Sequence, residues 1–432
     1  MEPIIIILII FVLISSILFP PVMVLYAFIA LYPIGLIIKH KTGDFHPHWT
    51  FGGDQTTQIY VYFRSQNSIT CRLTYKKTDS IENKDRWNSI DEIDFLVSDY
   101  NTPKVKTDKH GEYIPKSRSE SSEKHIFFID NLDPGAEYEY KISDAANETQ
   151  ITSGIFYTQE LVPETNFKFA VFGDLQIAEN LEIIESYLLY LMRKNNPELI
   201  LSLGDNVHKG TDINSWRIHS VILRKLLASR PFYTTPGNHD YSDDYGYTMA
   251  NEALMLPITK TDRWFYSVRY NRVYFISLLT RMLSNEVLQQ KQQDFLEKEL
   301  RTANALINDD KVDWIIIFTH VPWWGPPYNR HKVIDEQEQF IREHWVPLFE
   351  KYDVDLHFAG HKHSYCRDKN KIITGSMHGV RNYPEVTKEN YFLRNSHQFC
   401  LIHVSKNQLK IEVKTWLNRN IEVVKFQRKE IK

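Results

Sequence analysis

The pattern of apolar and polar residues divides the chain into three parts. Residues 3–38 carry no charged side chain and are dominated by Ile, Leu, Phe and Val. In the next part, short runs of β-forming residues alternate with polar turns, which is typical of an all-β domain. Further along, near-continuous apolar runs alternate with helical patterns, which indicates an α/β domain. We predict a membrane segment at residues 1–41, a small β-sandwich at 45–160 and an α/β domain at 165–432.

The amino-terminal apolar run is long enough to cross a bilayer. About 20 apolar residues span the hydrocarbon core, and residues 3–38 exceed that length. Pro20 and Pro21 split the run, so a kinked single span and a tight hairpin both fit. A cleaved signal peptide is disfavoured, because Glu2 and no basic residue precedes the run. We therefore predict that this segment holds the protein at a membrane.

The charged residues and the cysteines indicate the cellular compartment of the chain and the partners that it could bind. Lys39 and Lys41 follow the apolar run, and the positive-inside rule then places the rest of the chain on the cytoplasmic side, for one span or for a hairpin. The 3 cysteines are too few to indicate a disulfide framework, which favours a reducing compartment. A formal net charge of -3 gives no basic surface for nucleic acid, and the sequence gives no basis for an oligomeric state.

The middle part contains four runs that predict β-strands. Residues 59–63 and 69–75 are rich in β-branched and aromatic side chains and are separated by a polar turn. Residues 125–129 and 138–142 flank a second turn in the same way. We expect each turn to join two paired strands, and the four strands to belong to a small β-sandwich.

The α/β part combines five apolar runs with four helical patterns. The predicted strands lie at residues 167–172, 198–203, 231–235, 314–318 and 354–359. The predicted helices lie at residues 181–194, 216–229, 285–304 and 337–351. Strands that are apolar on both faces need helices to cover them, so this alternation predicts a layered α/β sandwich.

Each of the five strands runs into a short polar motif. The motifs are Gly173-Asp174, Gly204-Asp205-Asn206, Gly237-Asn238-His239-Asp240, His320 and Gly360-His361-Lys362-His363. In open α/β folds the site lies beyond the carboxyl ends of the strands, so we expect the five loops to converge. Carboxylate, amide and imidazole ligands suit a pair of Mn, Fe or Zn ions, and the glycines let backbone approach them. The motifs therefore predict a two-metal site.

The motifs also resemble those of a known family. The runs His320-Val321-Pro322-Trp323-Trp324 and Gly360-His361-Lys362-His363-Ser364-Tyr365 carry the closest likeness. With the three earlier motifs, they nearly reproduce the series GD, GDxxY, GNH, VxxH and GHxHxY. The chain thus resembles the calcineurin-like metallophosphoesterase superfamily and, within it, the purple acid phosphatase branch. The resemblance implies a four-layer α/β/β/α sandwich.

The resemblance also implies a ligand set for the two ions. One ion would be held by Asp174, Asp205 and His363. The other would be held by Asp205, Asn238, His320 and His361. Asp205 then bridges the two ions, which a carboxylate can do because it has two oxygens.

Two positions depart from the family pattern. The branch has a tyrosinate ligand where this chain has His208, and the wider superfamily has a histidine where this chain has Gln176. The first ion would take His208, Gln176 or neither. Loss of the tyrosinate weakens the preference for Fe(III), so that Mn, Zn and Fe(II) all remain open as occupants.

Roles in catalysis follow from the same resemblance. A water activated by the two ions would attack the phosphorus of a phosphate ester, and His239 would donate a hydrogen bond or proton near the leaving oxygen, with Asp240 as an orienting partner. Residues 322–331 resemble the branch's substrate loop, so that Arg330 and His331 would face the phosphate. The resemblance implies an acid phosphatase-like phosphomonoesterase.

Other functions and a further likeness stay open at this point. A phosphodiesterase or nucleotide pyrophosphatase is the alternative on the same fold, and a non-enzymatic, membrane-anchored binding module is the third. All six central ligands are present, which disfavours the third. The run Leu132–Tyr140 is similar to a strand signature of fibronectin type III domains, which precede the catalytic domain in plant-type purple acid phosphatases. Members of the branch are commonly exported, which opposes the cytoplasmic placement.

Overall fold

The computed structural model describes ten parts of the chain. They are residues 46–65, 69–78, 87–91, 123–178, 183–240, 265–280, 286–325, 336–381, 383 and 392–428. The predicted membrane segment at residues 3–38 lies outside them and stays a prediction. Among the described helices, none combines the length and apolar composition needed to cross a membrane.

The first seven strands form two small antiparallel sheets. They are β1 (His48–Phe51), β2 (Ile59–Ser65), β3 (Cys71–Lys77), β4 (Asn88–Asp91), β5 (Glu123–Ile129), β6 (Glu137–Asp144) and β7 (Gln150–Tyr157). One sheet has the order β1-β2-β5 and the other has the order β4-β3-β6-β7. The buried ring of Trp49 lies edge-on to Phe156, with ring centroids 6.4 Å apart. Because these rings come from different sheets, the two sheets pack face to face as a β-sandwich.

The predicted strand pairs within this sandwich are wrong. β2 does not pair with β3 but with β5, where Phe63 lies opposite His125. β3 pairs with β6, where Leu73 lies opposite Ile142. In both predicted pairs, therefore, the second strand belongs to the opposite sheet. A polar turn shows that the chain reverses, but the choice of sheet depends on contacts between residues far apart in sequence.

The remaining elements form the α/β part. The strands are β8 (Phe167–Phe172), β9 (Leu199–Ser202), β10 (Phe232–Thr234), β11 (Tyr266–Tyr270), β12 (Val273–Leu278), β13 (Trp314–Thr319), β14 (Leu356–Ala359), β15 (Tyr365–Asp368), β16 (Lys371–Thr374), β17 (Phe392–Arg394), β18 (Gln398–Val404), β19 (Gln408–Thr415) and β20 (Asn420–Gln427). The helices are α1 (Ile183–Lys194), α2 (Ile213–Leu227), α3 (Glu286–Asn308), α4 (Glu336–Phe340) and α5 (Val346–Lys351). One π-helical turn, Ile341–Trp345, joins α4 to α5.

Two large sheets form the core of the α/β part. One has the order β10-β9-β8-β18-β19-β20 and the other has the order β11-β12-β13-β14-β16-β15-β17. The strands β8, β9 and β10 run parallel, as do β12, β13, β14 and β16. Phe169 of the first sheet meets Phe275 of the second at 5.3 Å between ring centroids. The two sheets therefore pack against each other in a layered α/β sandwich.

The β-sandwich is attached to the α/β part through several hydrogen bonds. The Phe51 amide donates to the Tyr233 hydroxyl at 3.2 Å, and the Ile155 amide donates to the Ala228 carbonyl at 2.8 Å. A Cβ on Gly154 would lie 2.5 Å from that same carbonyl oxygen, so this close approach requires glycine. The sandwich is thus fixed beside α2 and β10.

A buried histidine at this interface predicts a pH dependence of stability. Burial and, to a smaller extent, the neighbouring His48 lower the pKa of His219, in α2, to about 3. The unfolded chain takes up a proton below about pH 6.5, but the native protein does not until about pH 3. The free energy of unfolding should then fall by up to about 1.4 kcal/mol for each pH unit between these values.

We expect His219→Gln to make unfolding less sensitive to acid. Urea denaturation at pH 7 and pH 5 should show that the wild type loses up to about 2 kcal/mol more than the variant. The matched control is His344→Gln, because His344 is exposed. Equal losses in the wild type and in His219→Gln would contradict the prediction.

Candidate metal centre

The structure brings carboxylates and imidazoles together in two groups that share one residue. Asp174, Asp205 and His363 form the first group, and Asp205, His320 and His361 form the second. Within each group the ligand atoms lie within 4.8 Å of one another. The carboxylates of Asp174 and Asp205 are buried, so each group offers charged ligands in a place that excludes water.

The backbone at these ligands is unusual. Asp174, Asp205, His361 and His363 have φ angles of 54°, 52°, 69° and 46°. Residues other than glycine rarely adopt this left-handed conformation, and it occurs mainly where surrounding structure enforces it, as at functional sites. The turns at the strand ends thereby direct the four side chains toward one another.

Two glycines allow the ligand loops to approach each other. A Cβ on Gly237 would lie 2.2 Å from Asp205 Oδ1, and a Cβ on Gly360 would lie 2.6 Å from Asp174 Oδ2. Either contact is shorter than real Cβ atoms tolerate. Backbone amides use the space instead: the His239 amide donates to Asp205 Oδ1 at 2.7 Å, and the His361 amide donates to Asp174 Oδ2 at 2.8 Å.

His320 faces two other candidate ligands of the second group. Its Nδ1 donates to the Leu203 carbonyl at 2.8 Å, so that in neutral imidazole Nε2 carries a lone pair. That atom faces Asn238 Oδ1 at 3.0 Å and Asp205 Oδ1 at 3.4 Å. Three electron-pair donors that converge in this way are the chemistry expected around a metal ion.

The electrostatics of the histidines agree with a cation site. Burial lowers the pKa of His320, but the carboxylates of Asp205 and Asp174 outweigh it and raise the pKa overall, so the protein itself leaves an excess of negative charge here. Burial, with a contribution from His320, holds the pKa of His361 well below its usual value. His361 is therefore neutral, which is the form that binds metals.

Gln176 lies beside the first group. Its side-chain nitrogen donates to Asp205 Oδ2 at 3.1 Å and lies 3.2 Å from His363 Nε2. As oriented, the amide nitrogen faces the site, and a nitrogen of this kind is a donor and not a metal ligand. Gln176 thus supports Asp205 in this orientation.

His208 and His239 form an imidazole pair at the edge of the site. The exposed His208 ring lies 5.1 Å from the His239 ring between centroids, and neither described ligand group includes it. Burial and the facing His239 lower the pKa of His208. His239 Nδ1 donates to the His208 carbonyl at 2.8 Å, which fixes the direction of the His239 ring.

Asp240 does not contact the His239 ring in the way expected of an orienting partner. Its buried carboxylate accepts hydrogen bonds from the amides of Asn206 at 2.7 Å, Val207 at 3.2 Å and Gly237 at 2.8 Å. Burial and the nearby Asp205 raise its pKa. The His208 carbonyl orients His239 instead, and Asp240 holds the second and third ligand loops together.

Two predicted substrate contacts lie outside the described residues. Arg330 and His331 both fall in the stretch 326–335. The preceding Trp323 and Trp324 are buried and surround His357, with ring centroids 4.0 and 5.7 Å from its ring. These two tryptophans therefore pack in the interior behind the site.

One loop of the site, residues 375–381, was not predicted from the sequence. The stretch 375–381 lies against the first ligand group: the His378 amide donates to the Asp174 carbonyl, and the Arg381 amide donates to the His363 carbonyl, both at 2.9 Å. His378 Nδ1 lies 2.9 Å from the buried Glu185. The signal was present, because Gly375 follows the apolar strand β16 just as Gly173 follows β8 and Gly360 follows β14.

Comparison with known proteins shows a family likeness in the α/β part. Residues 167–365 match the calcineurin-like phosphoesterase family. Over these residues the chain is similar to calcineurin-like metallophosphoesterases, and its relatives are of the purple acid phosphatase type. The predicted resemblance is thereby confirmed.

Individual relatives are similar over part of their length. A phosphoenolpyruvate phosphatase of Allium cepa is 28% identical over 56% of this chain and 50% of its own length. An Fe(3+)-Zn(2+) purple acid phosphatase of Arabidopsis thaliana is 25% identical over 57% of this chain and 52% of its own. The chain thus spans about half the length of these curated relatives.

One solved structure extends the likeness to most of the fold. A purple acid phosphatase from seeds of yellow lupin (Lupinus luteus) superposes with a TM-score of 0.74 at 16% identity. The match covers 90% of this chain and 75% of the lupin chain. At this identity it shows the fold alone, an α/β sandwich preceded by small β-sheets, as predicted.

Removing a central ligand should empty the metal centre. We expect Asp205→Asn and His320→Ala each to lose at least one bound ion, because Asp205 belongs to both groups and His320 is buried in the second. Elemental analysis of the purified protein measures this loss directly. The control is His344→Ala, an exposed histidine away from the site. Full metal content in either ligand variant would refute the assignment.

Proposed function

We propose that this protein hydrolyses phosphoric monoesters at a dinuclear metal centre. The observation that carries the proposal is the pair of ligand groups that share Asp205. A carboxylate common to two groups is the expected arrangement for two neighbouring ions, which are typical of phosphatases that use water as the nucleophile. The phosphatase relatives support phosphate esters as the substrate class.

The donor set decides which residues would hold each ion. Asp174, Asp205 and His363 would hold one, and Asp205, Asn238, His320 and His361 would hold the other. When bound, such ions supply Lewis acidity toward the phosphate and lower the pKa of a coordinated water. The chain itself has to keep the ligands converged, and the amide-to-carboxylate bonds at Asp174 and Asp205 do so.

His239 is the residue that we propose to act on the leaving group. Its Nδ1 is held by the His208 carbonyl at 2.8 Å, and its amide is bonded to Asp205 Oδ1 at 2.7 Å. The ring is thus fixed beside the bridging carboxylate without being part of either ligand group. From this position its Nε2 can donate to the leaving oxygen.

The metals and finer architecture are part of the same proposal. The Arabidopsis relative is named for Fe(3+) and Zn(2+), but this chain has His208 where the branch has its tyrosinate, so we propose a centre of Fe, Mn or Zn without the tyrosinate colour. We also propose a four-layer sandwich, a fibronectin type III-like domain at residues 45–160 and a membrane anchor at 1–41. The sequence patterns described above support these three.

Substrate preference tests the proposed function. We expect the purified protein with added Mn or Zn to hydrolyse p-nitrophenyl phosphate, and to act more slowly on bis-p-nitrophenyl phosphate. A chelator should abolish the activity and added metal should restore it. Faster turnover of the diester would favour the phosphodiesterase alternative, and a protein that binds two ions but hydrolyses neither ester would be a binding module.

Replacement of His239 should separate chemistry from metal binding. We expect His239→Asn to keep both ions and to lower kcat by about 10²–10⁴-fold, which is the usual contribution of a positioned proton donor. Elemental analysis and steady-state kinetics on the same preparation measure both effects. Loss of metal in this variant, or an unchanged kcat, would contradict the assigned role.

A further inference from the structure

Lys362 is a buried cation between two metal ligands. It stands between His361 and His363, and it is 1% exposed. Lysine is rarely buried to this extent unless its charge is paired. In the family series GHxHxY, Lys362 stands at a variable position between the two histidines. The motif therefore does not explain why this lysine is buried.

A carboxylate from another element compensates the charge. Lys362 Nζ lies 2.6 Å from Glu338 Oε1, with side-chain exposures of 2% and 13%. Glu338 belongs to α4 and is not part of either ligand group. At this distance and burial the pair is a charge-assisted hydrogen bond with a fixed direction.

The backbone of Lys362 is held as firmly as its side chain. Its amide donates to the Gly360 carbonyl at 2.8 Å, and its carbonyl accepts from the Tyr383 hydroxyl at 2.8 Å. On either side, His361 and His363 have the left-handed φ angles of 69° and 46°. The conformation of this strained turn thus depends on the contacts of Lys362 with Glu338, Gly360 and Tyr383.

The turn matters because its two histidines belong to different ligand groups. His361 lies in the group with His320, and His363 lies in the group with Asp174. A shift of the turn would move both ligands at once and change the spacing that two ions require. Supporting contacts of this kind typically change metal affinity by about 10–100-fold when they are removed.

We propose that the Lys362–Glu338 ion pair is a positioning pair that holds His361 and His363 at the spacing of a dinuclear metal centre. The inference rests on the proposed function, because it assumes that two ions bind. It adds a residue pair that lies outside both ligand groups. The pair acts through the backbone of the Gly360–His363 turn.

Three variants of the full-length protein test the pair. Lys362→Met and Glu338→Gln each leave one buried group without its partner, and Lys362→Met combined with Glu338→Leu replaces both by apolar side chains. After removal of metal by a chelator, titration calorimetry with Zn alone gives the metal Kd, and thermal unfolding gives Tm. Lys351→Met is the control, because Lys351 is exposed and pairs with Glu297 at 3.6 Å.

We expect each single variant to weaken Zn binding by about 10–100-fold and to lower Tm. The double variant should regain Tm, since no unpaired buried charge remains, but its Zn Kd should stay weakened because the directional bond is gone. Wild-type Zn affinity in Lys362→Met or in the double variant would overturn the proposal. If a single variant does not fold, the double variant still gives the decisive Kd.

Failure of this inference is distinguishable from failure of the proposed function. The Zn titrations need no substrate, so they report on the pair even if the wild type hydrolyses no phosphate ester. A wild type that binds none of Zn, Mn and Fe in such titrations would refute the dinuclear centre itself. A wild type that binds two ions, with variants of equal affinity, would refute the positioning pair alone.

Discussion

The rest of the site depends on the burial of two carboxylates, Asp174 and Asp205, at the ends of neighbouring strands. A buried carboxylate is costly unless hydrogen bonds or cations compensate its charge. Here backbone amides compensate part of the charge: the His361 amide donates to Asp174, and the His239 amide donates to Asp205. Each donor comes from another ligand loop, so the same bonds that stabilise the charges also bring the loops together. The compensation is incomplete, because the carboxylates still raise the pKa of His320. The remaining negative charge favours a cation at this place.

Much of this arrangement could be predicted from the sequence because its signals are local. An apolar run that is followed by glycine and a polar residue predicts both a parallel strand and a candidate ligand at its end. The described strands β8, β9, β10 and β14 follow this rule, and β13 runs directly into His320 without a glycine. Contacts between distant residues gave no such signal. The pairing of β2 with β5 and the approach of Glu338 to Lys362 join residues whose relation appears only in the folded chain. Arg330 and His331 lie outside the described residues, so their expected roles remain predictions.

The Gly-Asn-His-Asp motif illustrates how neighbouring residues divide the tasks of a site. Asn238 directs its amide oxygen at His320 Nε2, and His239 bonds the carboxylate of Asp205 through its amide. Asp240 points the other way and accepts the amides of Asn206, Val207 and Gly237. The polar residues of a motif are easily assigned catalytic or metal-binding roles as a group. One of them can instead only stabilise the conformation of the loops. Asp240 belongs to this second kind, because its oxygens are engaged by backbone donors of the two loops that carry Asp205 and Asn238.

At position 208 the chain departs from the family pattern in its side chain. The backbone carbonyl of His208 still accepts a hydrogen bond from His239. A tyrosinate at this position would add a charged oxygen to the first ion, whereas the exposed His208 ring lies outside both described ligand groups. Its carbonyl, however, accepts the hydrogen bond from His239 Nδ1. Any residue at position 208 could supply that carbonyl, so a change of side chain there can leave the orientation of His239 intact. In this chain, the side chain at position 208 is thus separable from the backbone carbonyl that orients His239.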